Sequence, residues 1–228
     1  MRGVVFGGSS GIGAAVARLR AAAGDAVLVA GRRGIVPPGC AATGMRCDVR
    51  SPEQVAAVLT GPADWVVNAA GVGFYAPVAP EFATRWSEIV DTNVVGLLNL
   101  LAALGERPPI GQFVHISSLA ALRPSRTPGN DVYAASKAAG AALVARYRAG
   151  LRAAGHRTRV SVVSPGYVGG TDFETNFYRD APVAVPSVTA GFPPLTAADV
   201  ASVVDHALSA PAHLELSEIV VRPIAQPD

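Results

Sequence analysis

The fold is decided by residues 3–23, which read GVVFGGSSGIGAAVARLRAAA. A short β-rich run (3–6) leads into a glycine turn (7–13), and an alanine-rich helix (14–23) follows. Glycines let the backbone approach a pyrophosphate closely, and a helix N-terminus offers free N–H groups and a positive dipole end. The spacing is Gly-x-x-x-Gly-x-Gly rather than the common Gly-x-Gly-x-x-Gly, but its place at the first strand-to-helix turn favours a nucleotide site over a plain loop.

The rest of the chain continues this alternation of strand and helix. Further strands are predicted at 26–30, 45–48, 64–68, 112–116, 159–163 and 218–222. Further helices are predicted at 51–59, 81–104, from Tyr133 to about 154, and at 196–209. Alternation without a repeat or a long linker predicts an α/β fold: a Rossmann-type doubly wound parallel seven-stranded sheet with helices on both faces, in a single domain of residues 1–228.

Composition and charge narrow the possible partners. Half of the chain is hydrophobic and 16% is charged, which suits a sheet buried on both faces. A formal charge of +2 with scattered arginines does not suggest nucleic-acid or membrane-surface binding. No run approaches the ~18 apolar residues of a membrane span. Cys40 and Cys47 have no second pair or nearby histidine, so neither a metal site nor a disulfide is expected. A cytoplasmic location is the expectation.

The end of the second strand indicates the coenzyme. In a dinucleotide fold the residue at this position meets the adenosine ribose, where an acid accepts the 2′-hydroxyl and an arginine pairs with a 2′-phosphate. Here the sequence is Gly31-Arg32-Arg33, with no acid. This favours NADP(H) over NAD, with Arg32 preferred to Arg33 as the phosphate partner. The alternative is two solvated arginines in a loop.

An acid-base pair follows the predicted strand 112–116. Tyr133 and Lys137 are four positions apart, so a helix places them on one face. A neighbouring cation favours the phenolate and brings its pKa closer to neutral pH. Ser117 or Ser118, at the carboxyl end of the strand, can hold the same substrate oxygen. Taken alone, the Tyr-Lys pair is more often an ordinary amphipathic pair.

The long helix 81–104 is apolar nearly all round at its centre, which predicts burial on more than one side. With the alanine-faced helix of Tyr133, it predicts a homodimer or homotetramer built through a four-helix contact. Asn93 lies at its middle, where a buried amide needs partners. Its plainer interpretation is a satisfied structural amide.

Residues 172–194 are predicted to be an irregular substrate lid, because a long loop that carries aromatic residues is typical of one. A carboxylate on the substrate is a possible partner for Arg123 and Arg126, although surface arginines near prolines are usually solvated. The predicted lining of the substrate side is Phe74, Phe173, Phe177 and Tyr178.

These motifs, in this order, resemble the short-chain dehydrogenase/reductase family along nearly the whole chain. The matching motifs are Gly7-x-x-x-Gly11-Ile12-Gly13, Asn68-Ala69-Ala70-Gly71 and Tyr133-x-x-x-Lys137, with Asn93, Ser118 and Pro165-Gly166 also in place. The resemblance implies that Tyr133 is the general acid/base and that Ser118 positions the substrate oxygen. It implies that Lys137 binds the nicotinamide ribose and lowers the tyrosine pKa, and that Asn93 holds a water in a proton relay.

The resemblance also implies which residues bind the coenzyme: Gly7, Ser9, Ser10, Gly11, Ile12, Gly13, Arg32, Arg33, Asp48, Val49, Asn68, Ala69, Ala70, Gly71, Tyr133, Lys137, Pro165, Gly166, Val168 and Thr171. Three departures from the family pattern are present. Phe6 replaces the usual threonine, Ala69 replaces the second asparagine, and the interval from Ser118 to Tyr133 is longer than the family's commonest spacing. The long interval makes Ser117 the fallback for Ser118.

Residues 165–173 and 211–226 resemble one branch of the family, which includes NADP-dependent dehydrogenases of small 3-hydroxy acids and aldehyde reductases of the clavulanic acid type. The expected function is therefore an NADP-dependent oxidoreductase that moves a hydride between nicotinamide and a carbonyl or alcohol carbon of a small molecule, in secondary metabolism or elsewhere. The rivals are a non-catalytic NADP-sensing protein, which has no need of an acid-base pair, and a sugar-nucleotide epimerase, which needs a larger substrate domain.

Overall fold

A computed structural model describes residues 1–106, 110–123, 129–179, 181 and 191–227. Its centre is one parallel sheet in the order β3-β2-β1-β4-β5-β6-β7. The strands are β1 (Arg2–Phe6), β2 (Ala26–Gly31), β3 (Ala42–Arg46), β4 (Trp65–Asn68), β5 (Gln112–Ile116), β6 (Arg159–Pro165) and β7 (Glu218–Val221). This arrangement confirms the predicted doubly wound fold.

Helices cover both faces of the sheet. The helices are α1 (Gly11–Ala22), α2 (Pro52–Val58), α3 (Ala83–Val90), α4 (Gly96–Gly105), α5 (Asp131–Ala153), α6 (Asp172–Tyr178) and α7 (Ala197–Ser209). One apolar core joins α2, α4 and α5 to the sheet, and a second joins α1 and α7 to the opposite face. Strands β1, β4 and β5 are almost wholly buried between these two cores.

Two sequence predictions are wrong in detail. The third strand covers Ala42–Arg46 rather than 45–48, because its pairing with β2 begins at Ala42 opposite Val27. This strand lies at the sheet edge and is largely exposed, so no hydrophobic alternation marks it. Residues 172–178 form helix α6 instead of irregular chain, and the Thr171 hydroxyl caps it by accepting a hydrogen bond from the Glu174 N–H.

The run Pro80–Gly105 is helical throughout, with a π-helical turn at Asp91–Val95 between α3 and α4. By length and composition it is apolar enough to cross a membrane, which the sequence expectation overlooked. In the fold it packs as a core helix does, with Leu97 and Leu100 fully buried against the sheet.

A buried ion pair ties helix α1 to the rest of the domain. The Arg20 guanidinium donates to Asp25 at 2.6 Å and to Asp205 of α7 at 2.7 Å, and the Trp65 indole donates to Asp25 at 3.0 Å. Burial by itself raises the pKa of the Asp25 carboxyl, but these donors and the Met1 amino group outweigh it and hold that pKa below its usual value. The charged form of Asp25 is therefore part of the folded state.

We expect Asp25→Asn to lower the free energy of unfolding at pH 7 by about 3 kcal/mol, because it removes the buried carboxylate that pairs with the Arg20 guanidinium and leaves Asp205 as its remaining charged partner. A carboxyl whose pKa is depressed by folding stabilises the protein above its unfolded pKa, and this contribution is lost as the pH falls through the folded pKa. The gap between variant and wild type should therefore close below pH ~4. Urea unfolding followed by circular dichroism measures it, with the exposed Glu106→Gln as control. Equal stability at pH 7 would contradict the assignment.

Candidate active site

A cleft of about 1320 Å³ opens at the carboxyl ends of the central strands. Its floor lies between the neighbouring strands β1 and β4. The chain after β1 continues to β2 on one side of this pair, and the chain after β4 continues to β5 on the other side. Ligands of open α/β sheets bind at such a switch point. Of the residues predicted to bind a coenzyme, all line this cleft except Asn68, which lies buried beneath it.

The glycine turn forms the cleft wall after β1. Gly7 has a φ of 74°, and a Cβ atom there would lie 2.5 Å from the Ala70 nitrogen, so the loops after β1 and β4 can touch only if this residue is glycine. The N-cap residue Ser10 makes no side-chain hydrogen bond to α1, and the first residues of that helix line the cleft. The N–H groups of the first turn are therefore available to an anionic ligand.

The two arginines after β2 take different positions. Arg33 lies against the glycine turn, with its Nη2 atom 3.5 Å from the Ser9 hydroxyl and 3.3 Å from the Asp172 carboxylate. Arg32 has its guanidinium 3.7 Å from Glu88 on α3. Both line the cleft, but the geometry favours Arg33 over Arg32 as the residue next to the phosphate-binding turn.

The predicted acid-base pair lies buried at the other end of the cleft. The Lys137 Nζ atom donates to the Ile116 carbonyl at 3.0 Å and lies 5.8 Å from the centre of the Tyr133 ring. The Ser118 side chain hydrogen-bonds to Tyr133. The Ser117 hydroxyl instead donates to the Lys137 carbonyl at 3.4 Å, away from the phenol. Despite the long interval in sequence, Ser118 rather than Ser117 is therefore the serine beside the phenol.

Burial governs the ionisation of this pair. Desolvation raises the pKa of Tyr133 to about 12, and the hydrogen bond from Ser118 opposes it only in part. Desolvation also lowers the pKa of Lys137 to about 8. The neighbouring cation is expected from the sequence to lower the tyrosine pKa, but in the structure burial has the larger effect and raises it. Tyr133 is consequently a phenol at neutral pH, the form that donates a proton.

Asn93 lies in the π-helical turn, and its side chain bonds to residues outside that turn. Its Oδ1 accepts from the Val72 N–H at 2.9 Å, and its Nδ2 donates to the Val72 carbonyl and the Ser136 hydroxyl, both at 2.9 Å. Ser136 in turn donates to the Tyr133 carbonyl at 2.7 Å. Asn93 does not line the cleft, so its side chain supports the loop after β4 and the catalytic helix from behind. A role in holding water stays a prediction.

A buried histidine that no sequence motif marks, His115, lies below the site. His115 of β5 is 2% exposed and its Nδ1 lies 3.3 Å from the Asn68 amide, which also accepts from the Ala70 N–H at 3.1 Å. Burial and the nearby Lys137 charge lower the His115 pKa to about 3, so the ring is neutral. The register of β4 against β5 places Asn68 opposite His115. The sequence alone does not reveal this register, so it does not mark His115 as a site residue.

Aromatic residues cover the phenol from α6. The ring centres of Phe173 and Phe177 lie 5.2 and 6.5 Å from that of Tyr133, and Tyr178 packs against Phe177 at 5.0 Å. The predicted substrate-side residues that line the cleft are Phe74, Arg123, Phe173, Phe177 and Tyr178. Arg126 lies outside the described residues. The further lining residues that the sequence did not single out include Leu119, Asn130 and Tyr167.

The coenzyme end of the site is completed by the segment after β6. Gly166 donates its N–H to the Val221 carbonyl at 2.7 Å, and Val168 forms a β-bridge with Leu195. These contacts place Pro165, Gly166, Val168 and Thr171 along the cleft opposite the glycine turn. Within the described part of the chain, His, Cys, Asp and Glu form no group of three able to hold a metal ion.

Comparison with known proteins places the chain among dehydrogenases. The model of a family described as short chain dehydrogenase matches residues 3–182. Serine 3-dehydrogenase of Rhizobium radiobacter is 30% identical over 98% of this chain and 94% of its own length. Farnesol dehydrogenase of Aedes aegypti is 28% identical over 98% of this chain and 96% of its own. A closed form of serine dehydrogenase complexed with NADP⁺ is 26% identical, with a TM-score of 0.87, over 100% of this chain and 97% of that one.

The contacts of Asn93 predict a structural cost for its removal. We expect Asn93→Ala to lower the free energy of unfolding by about 2–4 kcal/mol, because the partly buried Val72 N–H and carbonyl and the buried Ser136 hydroxyl each lose a hydrogen bond together. The matched control is Asn99→Ala in α4, where the amide makes one bond of 3.0 Å to the Val49 carbonyl. Its cost should be about 1 kcal/mol. Urea unfolding compares the two, and equal effects would contradict the structural role.

Proposed function

Since this chain belongs to the short-chain dehydrogenase family, we propose that it is an NADP-dependent oxidoreductase that transfers a hydride between nicotinamide and an alcohol or carbonyl carbon of a small molecule. The observation that carries the proposal is the buried Tyr133, hydrogen-bonded to Ser118 and lying beside Lys137 in the cleft that the glycine turn borders. An acid, a second hydroxyl and a cation in one cleft are the groups that alcohol-carbonyl interconversion requires.

The cleft has the features that NADP(H) binding needs. Its volume is sufficient for a dinucleotide, its glycine turn leaves helix N–H groups available, and Arg33 stands beside Ser9 where the strand end meets a ribose. No acid replaces the arginine at that position. The NADP⁺ complex of the similar serine dehydrogenase supports the same assignment.

Bound NADPH would supply the hydride. The chain's own contribution in reduction is a proton from the Tyr133 hydroxyl to the substrate oxygen, because its raised pKa keeps that hydroxyl protonated. Ser118 would hold the same oxygen by a hydrogen bond. The Lys137 ammonium, which is fixed by the Ile116 carbonyl, would stabilise the phenolate that remains until solvent returns the proton. In oxidation these roles reverse.

The relatives leave two kinds of substrate open. Serine 3-dehydrogenase is named for a small hydroxy acid and farnesol dehydrogenase for an apolar alcohol, and their identities to this chain differ little. A small-molecule alcohol or carbonyl compound is common to both. The rival function is an NADP-sensing protein without turnover. Such a protein needs no acid-base pair, whereas this cleft holds a phenol, a serine and a lysine together, which favours an enzyme.

We extend the proposal to assembly and to the lid. Val90, Val95 and Leu98 are 39%, 39% and 43% exposed on the outer side of the long helical run, which favours a homodimer or homotetramer that covers them. Residues 172–194 act as the substrate lid in this proposal, with α6 as its first part, while residues 180 and 182–190 lie outside the described residues. A cytoplasmic location stays a prediction.

The general acid is tested by removing one oxygen atom. We expect Tyr133→Phe to lower kcat/KM for carbonyl reduction by about 10²–10⁴-fold, because it removes the proton donor. The Kd for NADPH, measured by fluorescence titration, should be unchanged because the ring still fills its place. Tyr147→Phe is the matched control, since this ring packs on Phe113 outside the cleft. Full activity of Tyr133→Phe would refute the acid assignment.

The coenzyme preference is tested at the two arginines. We expect Arg33→Ala to raise the Kd for NADPH about tenfold or more, since a hydrogen bond to a charged group contributes about 1.5–3 kcal/mol. The Kd for NADH, which lacks the 2′-phosphate, should not change. Arg32→Ala is the companion variant and should have the smaller effect. A larger loss in Arg32→Ala would restore the preference drawn from the sequence.

A further inference from the structure

The part of the cleft next to the reacting phenol is walled by aromatic rings from one short helix. Phe177 is buried, at 4% exposure, while Phe173 is 37% exposed and faces the cleft. Their rings stack at 6.1 Å with an interplanar angle of 26°, and both contact the Tyr133 ring. Any group attached to the carbon that reacts beside Tyr133 must therefore lie against these two rings or displace them.

The ionisable groups on this wall are acidic, and one of them, Asp172, pairs with Arg33 at 3.3 Å. Helix α6 carries Asp172 and Glu174, and Glu174 accepts hydrogen bonds from the Tyr167 hydroxyl at 2.7 Å and the Gly170 N–H at 2.8 Å. Aromatic faces also present the negative part of their quadrupole. A carboxylate placed here would lose water without gaining a cation from α6, which is unfavourable. An apolar group would instead be removed from water against matching surface.

From this wall we infer the substrate class, and the inference rests on the proposed function. The physiological substrate carries an aryl or extended alkyl group on or near its alcohol or carbonyl carbon, and that group packs on Phe173 and Phe177. Short hydroxy acids and their keto acids are poor substrates. Phe177 is the specificity residue, because it is the buried ring that supports Phe173 from behind and also contacts Tyr133.

The test compares ketones that share a methyl ketone group. The kcat/KM with NADPH is measured for 4-phenyl-2-butanone, 2-butanone and acetoacetate. We expect 4-phenyl-2-butanone to exceed acetoacetate by about 30-fold or more, within the range that apolar pocket contacts give. Phe177→Ala should reduce this ratio at least about tenfold for the same reason. Phe82→Ala, which removes a ring that packs on Tyr75 outside the cleft, should leave it unchanged.

Two further variants of Phe177 separate the loss of the ring from a failure to fold and from a change of charge. Phe177→Leu preserves an apolar side chain if Phe177→Ala does not fold, and it should lower the aryl preference less. Phe177→Arg should raise kcat/KM for acetoacetate. A wild-type preference for acetoacetate that is lost in Arg123→Ala would overturn the proposal, because the cation at the cleft rim would then select the substrate.

Failure of the proposed function gives a different result. If NADPH binds but none of the ketones is reduced, the proposal of an oxidoreductase for this substrate range fails. Calorimetric binding of 4-phenyl-2-butanone and acetoacetate to the enzyme saturated with NADP⁺ then still decides the inference about the wall. Tighter binding of the aryl ketone that depends on Phe177 supports it, and equal or weaker binding refutes it.

Discussion

The active site depends on one buried contact, the hydrogen bond from the Lys137 ammonium to the Ile116 carbonyl at the end of β5. A buried lysine needs such a partner, because burial alone favours its neutral form. The surroundings are shaped to admit it. Gly71 has no side chain where a Cβ atom would lie 3.1 Å from the ammonium and 3.3 Å from the Asn93 amide oxygen, and His115 below is held neutral. The loop after β4, the helix turn at Asn93 and the core of the sheet therefore all meet at this charge.

Much of this arrangement could be predicted from local patterns in the sequence. The glycine turn and the Tyr133-Lys137 pair depend on residue types at fixed short spacings, so they can be recognised before any tertiary structure is known. The parallel direction of the strands follows from the alternation of strands and helices, because a helix between successive strands makes a parallel crossover. The bounds of the edge strand β3 and the presence of helix α6 are not marked by such local patterns. One is exposed and lacks alternation, and the other is a seven-residue helix fixed mainly by its Thr171 cap and by Glu174.

The remaining details of the site arise from tertiary packing, which short spacings do not encode. Neighbouring residues such as Ser117 and Ser118, or Arg32 and Arg33, all line the cleft, but only Ser118 contacts the phenol and only Arg33 lies against the glycine turn. The direction of the Tyr133 pKa is likewise set by burial, which raises it to about 12, rather than by the cation four residues away. His115 lies beside Asn68 because strands β4 and β5 pair in that register, which no local sequence pattern shows.

Local sequence patterns mark the catalytic groups, whereas tertiary packing shapes the substrate side of the cleft. The reaction class is therefore more readily assigned than the substrate. The acid, the serine and the lysine sit on the ends of buried strands and on a 23-residue helix, so the sheet itself fixes their geometry. The substrate wall instead belongs to α6, which has seven residues and is held by two phenylalanine rings, one capping threonine and the hydrogen bonds of Glu174. Such an element can change its side chains at little cost to the core, because one buried ring, Phe177, is most of what it contributes. Members of one family can therefore share the hydride chemistry while an element like this one determines which alcohol or ketone reaches the phenol.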